Sequence, residues 1–316
     1  MPAAPAGRTA EPPPTSAADA PLPYLQRTRR YYQALGYGRP YEWARFDEVP
    51  FQPLRQPLSR CRVALVTTAA PFKPGAGDQG PGAAYNAAAK FYQVYSEDTA
   101  TDPDLRIAHV AIDRRHTSAH DPASYFPLAA LRLAAAAGRI GTLAPRFHGL
   151  PTQRSQRSTV EVDAPQLVAR CREDAADAVV LVANCPVCHQ SLGLAARQLE
   201  AAGIATVLMG CARDIVELLG VPRLLFSDFP LGNAAGRPDD PASQVLTLEL
   251  ALQLLESART PRSTRVSPLR WQGCADWKLD YCNVDRLSPE QLAPLRAEFD
   301  LGKAQARQLR VPGAPG

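Results

Sequence analysis

Six short apolar runs separated by helical patterns constrain this chain more than any other feature. The runs cover 62–68, 106–112, 140–144, 178–183, 205–209 and 224–229. Each is short and continuously apolar, as a strand buried on both faces is. Amphipathic stretches at 83–95, 127–137, 165–176, 191–202, 212–219 and 242–258 lie between and after them. Strands joined through helices run parallel. The expected fold class is therefore α/β, a mostly parallel, Rossmann-like sheet with helices on both faces. In such sheets ligands sit at the carboxyl ends of the strands.

The ends of the chain read differently. Residues 1–22 are rich in Pro and Ala with few large apolar side chains, and disorder is expected there. A short helix is expected over 24–35, stopped by Gly36 and Gly38, within an α/β domain spanning 23–260. After a polar, Pro-punctuated connection, Trp271, Cys274, Trp277, Tyr281 and Cys282 cluster. Ser288-Pro289-Glu290-Gln291 then signals a last helix with a capping box. This irregular and helical extension, 261–316, is expected to pack on the same domain.

Charge and composition exclude several classes. Lys and Arg exceed Asp and Glu by 35 to 31, a net charge of +4. No basic run is interleaved with aromatics, so a nucleic-acid partner is not expected. No apolar run reaches membrane-spanning length, and the start lacks the basic and apolar parts of a secretion signal. Seven cysteines, an odd number without scaffold spacing, suggest reduced thiols in the cytoplasm.

The sharpest chemical signal is Asn184-Cys185-Pro186-Val187-Cys188-His189-Gln190, directly after the run at 178–183. A strand that ends in Cys-x-x-Cys and feeds a helix places sulfur near free backbone N–H groups and a positive dipole end, which favours thiolate. Several readings follow. The pair is a dithiol in which one sulfur attacks and the other resolves, or half of a zinc site completed by Cys274 and Cys282. The letters also fit covalent haem attachment, and two buried cysteines can simply pack as small hydrophobes. The redox dithiol is the favoured reading. It needs no cofactor, although a metal remains possible.

Two further constellations lie at expected strand ends. Asp113, Arg114, Arg115, His116 and His120 follow the run at 106–112 and could bind an anion and move protons. Against this, the same loop could be merely solvated, with Asp121 capping the next segment. Arg146 and His148 follow the run at 140–144 and could likewise reach a ligand. Gly75-x-Gly77-x-x-Gly80 matches the letters of a dinucleotide loop, but several loop residues, including Pro71 and Pro74, precede the first glycine and Pro81-Gly82 follow the last, which weakens that reading.

Taken together and in order, these segments resemble the B-subunit family of glycine, sarcosine and betaine reductase and the selenoprotein subunit of D-proline reductase. The resemblance covers about 63–238 and rests on 113–121, 126–128, 138–148, 184–191 and 229–238. It implies that a chalcogen nucleophile attacks a small carboxylate- or amine-bearing substrate, expels its amine and is resolved by neighbouring thiols. Where the family carries selenocysteine, this chain has Cys185 and Cys188. His189, His116 or His120 would then supply a proton, and Arg114, Arg115 or Arg146, with Asp113 and His148 beside them, would bind substrate. A dithiol or thioredoxin-like electron donor is implied as partner, as is a companion reductase subunit or a second copy of the chain.

Overall fold

A computed structural model describes residues 20–309 apart from 37–40, 82, 84, 85, 108, 110, 153 and 272–274. Most of the Pro/Ala-rich start, Gly82 of the glycine-rich loop and Cys274 thus lie outside the described residues. The strands are β1 (Arg62–Thr67), β2 (Ala70–Pro71), β3 (Tyr95–Asp98), β4 (Leu105–Arg106), β5 (Thr142–Leu143), β6 (Arg146–Gly149), β7 (Ala178–Val182), β8 (Ala205–Gly210), β9 (Arg223–Phe226) and β10 (Ser263–Val266). The helices are α1 (Tyr24–Ala34), α2 (Leu128–Ala136), α3 (Gln156–Ser158), α4 (Ala164–Glu173), α5 (Pro186–Ala201), α6 (Arg213–Leu219), α7 (Pro241–Ser257) and α8 (Pro289–Leu309).

The main sheet runs β10-β9-β8-β7-β1-β6-β3, with β5 also pairing β1. Every pairing in it is parallel except β3 against β6. The central strands β7 and β8 are buried along their whole length, as continuously apolar runs require. Successive side chains alternate between two cores. Val63, Leu65, Val180, Val182 and Val207 pack with Leu131 of α2 and Leu252 and Leu255 of α7. Ala64, Val66, Val179, Leu181 and Leu208 pack with Leu167 of α4, Leu192 and Leu199 of α5, and Leu219 of α6. Each large aliphatic side chain so buried is worth roughly 1.5–3 kcal/mol. Trp271, Trp277 and Tyr281 of the extension join the first core. The Ser288 capping box forms as expected, with the Ser288 N–H donating to Gln291 Oε1 at 2.9 Å and the Gln291 N–H donating to Ser288 Oγ at 3.4 Å.

Several expectations are corrected. The described residues of 83–95 form turns and irregular chain rather than a helix, with β3 beginning at Tyr95. Side chains compete there for the main chain: Asn86 Oδ1 accepts the Ala88 and Ala89 N–H groups, and Lys73 Nζ donates to the Lys90 carbonyl at 2.6 Å. The run at 106–112 yields only the end of β4, which pairs antiparallel with β2 outside the main sheet. The Arg114 guanidinium takes the His109 carbonyl that a ladder would have used. Residues 146–149, placed after the end of the 140–144 run, form strand β6 themselves, and β10 lies in the connection read as polar. No helix follows the Gly75–Gly80 loop directly among the described residues, so the dinucleotide cradle does not form.

One topological fact positions the site. Strand β1 lies between β6 and β7. The chain reaches β5 and β6 on one side of β1, whereas it leaves β7 through α5 toward β8. Connections that diverge in this way open a crevice at the carboxyl ends of β1 and β7.

Candidate functional site

Above that crevice sits the cysteine turn. Asn184 Nδ2 donates to Thr68 Oγ1 across the β1–β7 gap at 3.3 Å. Cys185 follows in extended conformation and is the N-cap of α5, its Sγ accepting the Cys188 N–H at 3.2 Å. Pro186 occupies the first helical position, where a missing N–H costs nothing. The helix therefore starts five residues earlier than its amphipathic pattern suggests, and Cys188 and His189 lie in its first turn. Cys185 and Cys188 are joined as a disulfide with Cα atoms 4.9 Å apart, a separation at which such bridges form readily. Both residues are buried, Cys185 at 5% exposed and Cys188 at 0%.

His189 is buried and fully engaged. Its Nδ1 lies 2.7 Å from the Cys185 carbonyl, and its Nε2 accepts the N–H groups of Cys211 and Ala212 at 2.9 and 3.1 Å. Two donors on Nε2 place the proton on Nδ1. Burial holds the ring neutral, its pKa pushed down to about 4. Gly210 is required here, because a Cβ at that position would stand 2.7 Å from the imidazole. His189 thus clamps the first turn of α5 to the end of β8. With both nitrogens taken, it has none to present as the expected proton donor.

The imidazole that lies against the thiols is that of His109, which the sequence had assigned to a strand interior. One ring nitrogen of His109 and the sulfurs of Cys185 and Cys188 all fall within 4.8 Å of one another. His109 Nδ1 is shut off from solvent and has no hydrogen-bond partner. Burial, reinforced by the charges of Lys90 and Arg114, pushes the ring's pKa down to about 4. Asn184 Oδ1 is a second buried acceptor without a partner.

Arg114 serves this cluster indirectly. Its guanidinium donates to the carbonyls of Ala83 and His109 at 2.9 and 2.8 Å, which fixes the loop that carries His109.

The rest of the 113–121 loop is directed elsewhere. Asp113 is buried, and its Oδ1 accepts the Arg115 and His116 N–H groups and lies 3.0 Å from His116 Nδ1. Burial raises its pKa, and His116 opposes that rise. Asp280 gathers Arg115 at 3.0 Å, His116 at 3.4 Å and Arg286 at 3.0 Å. His116, Asp280 and Arg286 edge a cavity of about 410 Å³ that Trp271 and Trp277 also line. His120 is exposed and pairs with Asp239 at 2.5 Å. Asp121 caps the turn that follows it, as the solvated-loop reading expects. Thr117 Oγ1 donates to the Leu231 carbonyl at 2.9 Å, so two segments that carry the family resemblance pack on each other.

Arg146 and His148 belong to a third place. Arg146 binds Asp174 through Nε and Nη2 at 2.9 and 2.7 Å, and His148 Nε2 lies 3.2 Å from the other Asp174 oxygen. Asp174 caps the end of α4 just before β7 begins, at the edge of the sheet opposite the cysteines. The structure does not bring these two residues to the thiol turn.

Remaining thiols contrast with the pair. Burial pushes Cys61 up to about 11 and Cys171 up to about 12, as it does for Cys282, which makes them inert packing groups at neutral pH.

Comparison with known proteins places this geometry in context. The D-proline reductase subunit gamma of Acetoanaerobium sticklandii is 28% identical over 223 residues, 70% of this chain and 88% of that subunit. The glycine reductase complex component B subunit gamma of Symbiobacterium thermophilum is 25% identical over 228 residues, 71% of this chain and 52% of that one. Its counterpart in Carboxydothermus hydrogenoformans is 25% identical over 226 residues, 70% and 50%. The chain therefore spans about half the length of the two glycine reductase subunits. No protein-family model and no solved structure matches it. The chain is a homologue of these reductase subunits, consistent with the reductase B-subunit family.

Proposed function

We propose that this chain is the thiol-bearing subunit of a cytoplasmic reductase that cleaves a C–N bond in a small carboxylate- or amine-bearing substrate. The observation that carries the reading is Cys185 as N-cap of α5, its sulfur on a helical N–H at the crevice between β1 and β7. A helix N-terminus favours the negative thiolate by roughly 0.3–1 kcal/mol, and more in partly buried geometry. Lys90 and Arg114 add positive field on the same side, which also draws a substrate carboxylate. Cys185 is the attacking sulfur, since it holds the helical N–H.

In the first step the Cys185 thiolate forms an S–C bond as the C–N bond breaks, and the departing amine takes a proton. Cys188 then attacks the Cys185 sulfur, so that the S–C bond breaks. The electron pair stays on carbon, which gains a proton, and the Cys185–Cys188 disulfide is left. An external dithiol reduces the disulfide and is itself oxidised. The neutral His109 imidazole, one nitrogen of which lies within 4.8 Å of both sulfurs, is an acceptor for a thiol S–H. Among the described residues no helix is long and apolar enough to cross a bilayer.

Mass spectrometry after incubating the reduced chain with glycine, sarcosine, betaine or D-proline tests this directly. The expected result is a substrate fragment on Cys185, accumulating in Cys188→Ser and absent in Cys185→Ser. Relative to the parent chain, turnover should fall by roughly three orders of magnitude or more in either variant, because nucleophile and resolving group act as one unit. Full activity in both variants would overturn the reading.

A further inference from the structure

We infer that Cys185, Cys188 and His109, once the disulfide is reduced, form a metal site that takes Zn²⁺ and thereby silences the dithiol. Three observations support it. The donor atoms of all three residues already lie within 4.8 Å of one another. Around tetrahedral zinc, with bonds near 2.0–2.3 Å, neighbouring donors stand roughly 3.5–4 Å apart, so once the disulfide opens the sulfurs separate to that spacing while the imidazole needs at most a small shift toward them. The donor set suits the ion: two thiolates spaced i and i+3 on one helical turn and one neutral imidazole are soft-to-borderline ligands.

His109 is also prepared for the task. Its Nδ1 is buried and without a partner, so no existing bond must break. Its loop is held by Arg114, the kind of outer support that orients a ligating histidine. Three protein ligands leave the fourth position to water or a small exogenous ligand.

The site is gated by redox state. Reduction of the disulfide by two equivalents of an external thiol, or one of a dithiol, gives two Cys thiols and one external disulfide. Zn²⁺ then displaces both thiol protons, so one ion bound releases two protons. In the oxidised chain the sulfurs are bonded to each other and offer no thiolate. Metal occupancy removes the nucleophile, which makes it a regulator of the proposed reductase. The inference rests on that reading only in requiring a reducible disulfide.

The test uses the full chain without substrate. The protein is reduced with a phosphine, freed of metal, and titrated anaerobically with Co²⁺ and then Zn²⁺ against a chromophoric chelator. One ion per reduced chain is expected, with thiolate-to-Co²⁺ charge-transfer absorption in the near ultraviolet, and none per oxidised chain. Cys185→Ser, Cys188→Ser and His109→Gln should each weaken binding at least about tenfold. Cys171→Ser, at a buried thiol remote from the turn, should bind as the parent chain does. Circular dichroism confirms that each variant is folded. Absence of stoichiometric binding by the reduced chain, or undiminished affinity in folded His109→Gln, would overturn the inference. Adduct formation on Cys185 is measured without metal, so failure of the reductase reading and failure of this one are separate results.

Discussion

The two ends of helix α5 are built on opposite plans. At its C-terminal end Glu200 and Arg223 form an ion pair at 2.7 Å with neither side chain exposed. The Glu200 carboxylate also accepts the Thr206 N–H and hydroxyl at 2.6 and 2.8 Å and the Gln52 N–H. At the N-terminal end Asn184 Oδ1 and His109 Nδ1 lie buried with no partner beside a reducible pair of sulfurs. Both ends remove polar groups from water; at the joint the Glu200 carboxylate is fully met and only Arg223 Nε is left over, whereas the other end leaves two acceptors unmet beside the sulfurs. A buried polar group left without a partner costs about 1–3 kcal/mol. Unmet capacity concentrated beside nucleophiles is thus the mark of a place built for a ligand, and the Glu200 end is the mark of a joint.

The largest stability effect is expected at the joint. Glu200→Gln leaves the Arg223 charge buried without its counter-ion, a change worth about 3–5 kcal/mol. Urea unfolding at neutral pH should show that loss. Cys185→Ser, measured in the reduced state, should move the same midpoint by less than about 1 kcal/mol, because a serine hydroxyl still caps the helix. Equal losses from both substitutions would erase the contrast between the two ends.

Much of this was legible in the sequence, and the reasons separate cleanly. The central strands announce themselves because residues buried on both faces must be apolar throughout, and the Cys-x-x-Cys turn because strand, Pro and helix adjoin it. His109 was hidden because its neighbours Ile107, Ala108, Val110 and Ala111 mimic a strand. What removes that segment from the sheet is the Arg114 guanidinium, a contact that local periodicity does not encode. Arg146 and His148 looked available because each stands at a strand end in sequence, but β6 carries them toward Asp174. The polarity of a loop residue says that it wants partners. It does not say whether the fold has already supplied them.

His189 sharpens the comparison through pH. Its folded pKa, about 4, lies below the ordinary value near 6.5, so the unfolded chain binds the proton more tightly. The stabilisation is complete above about pH 6.5 and is lost as pH falls through 4, by on the order of 3 kcal/mol for this residue. His148, also pushed down to about 4, adds in the same direction. Unfolding midpoints measured at pH 7 and pH 4.5 should therefore converge in His189→Gln relative to the parent chain. An unchanged pH slope would mean that the clamp between α5 and β8 is not held by a neutral ring.

The smallest effect has the opposite sign and extends the thiol end outward. Asp163 closes a π-helical turn, Thr159–Asp163, that packs on α5 through the Gln198 side chain and the Val160 carbonyl at 2.7 Å. It is buried, its Oδ2 has no partner, and burial raises its pKa to about 7, with Lys90 opposing. A carboxyl raised in this way binds its proton more tightly in the folded chain, so stability declines as pH rises from about 4 to about 7. Asp163→Asn removes that decline. The variant should match the parent near pH 4 and exceed it by about 1–2 kcal/mol at pH 7.5, a value reduced from the full shift by the nearby ammonium and by solvent. Lys90, whose charge also reaches His109, links the two buried groups. If Asp163→Asn proved no more stable than the parent at pH 7.5, Asp163 would be satisfied like Glu200, and the unmet polar region would end at the cysteine turn.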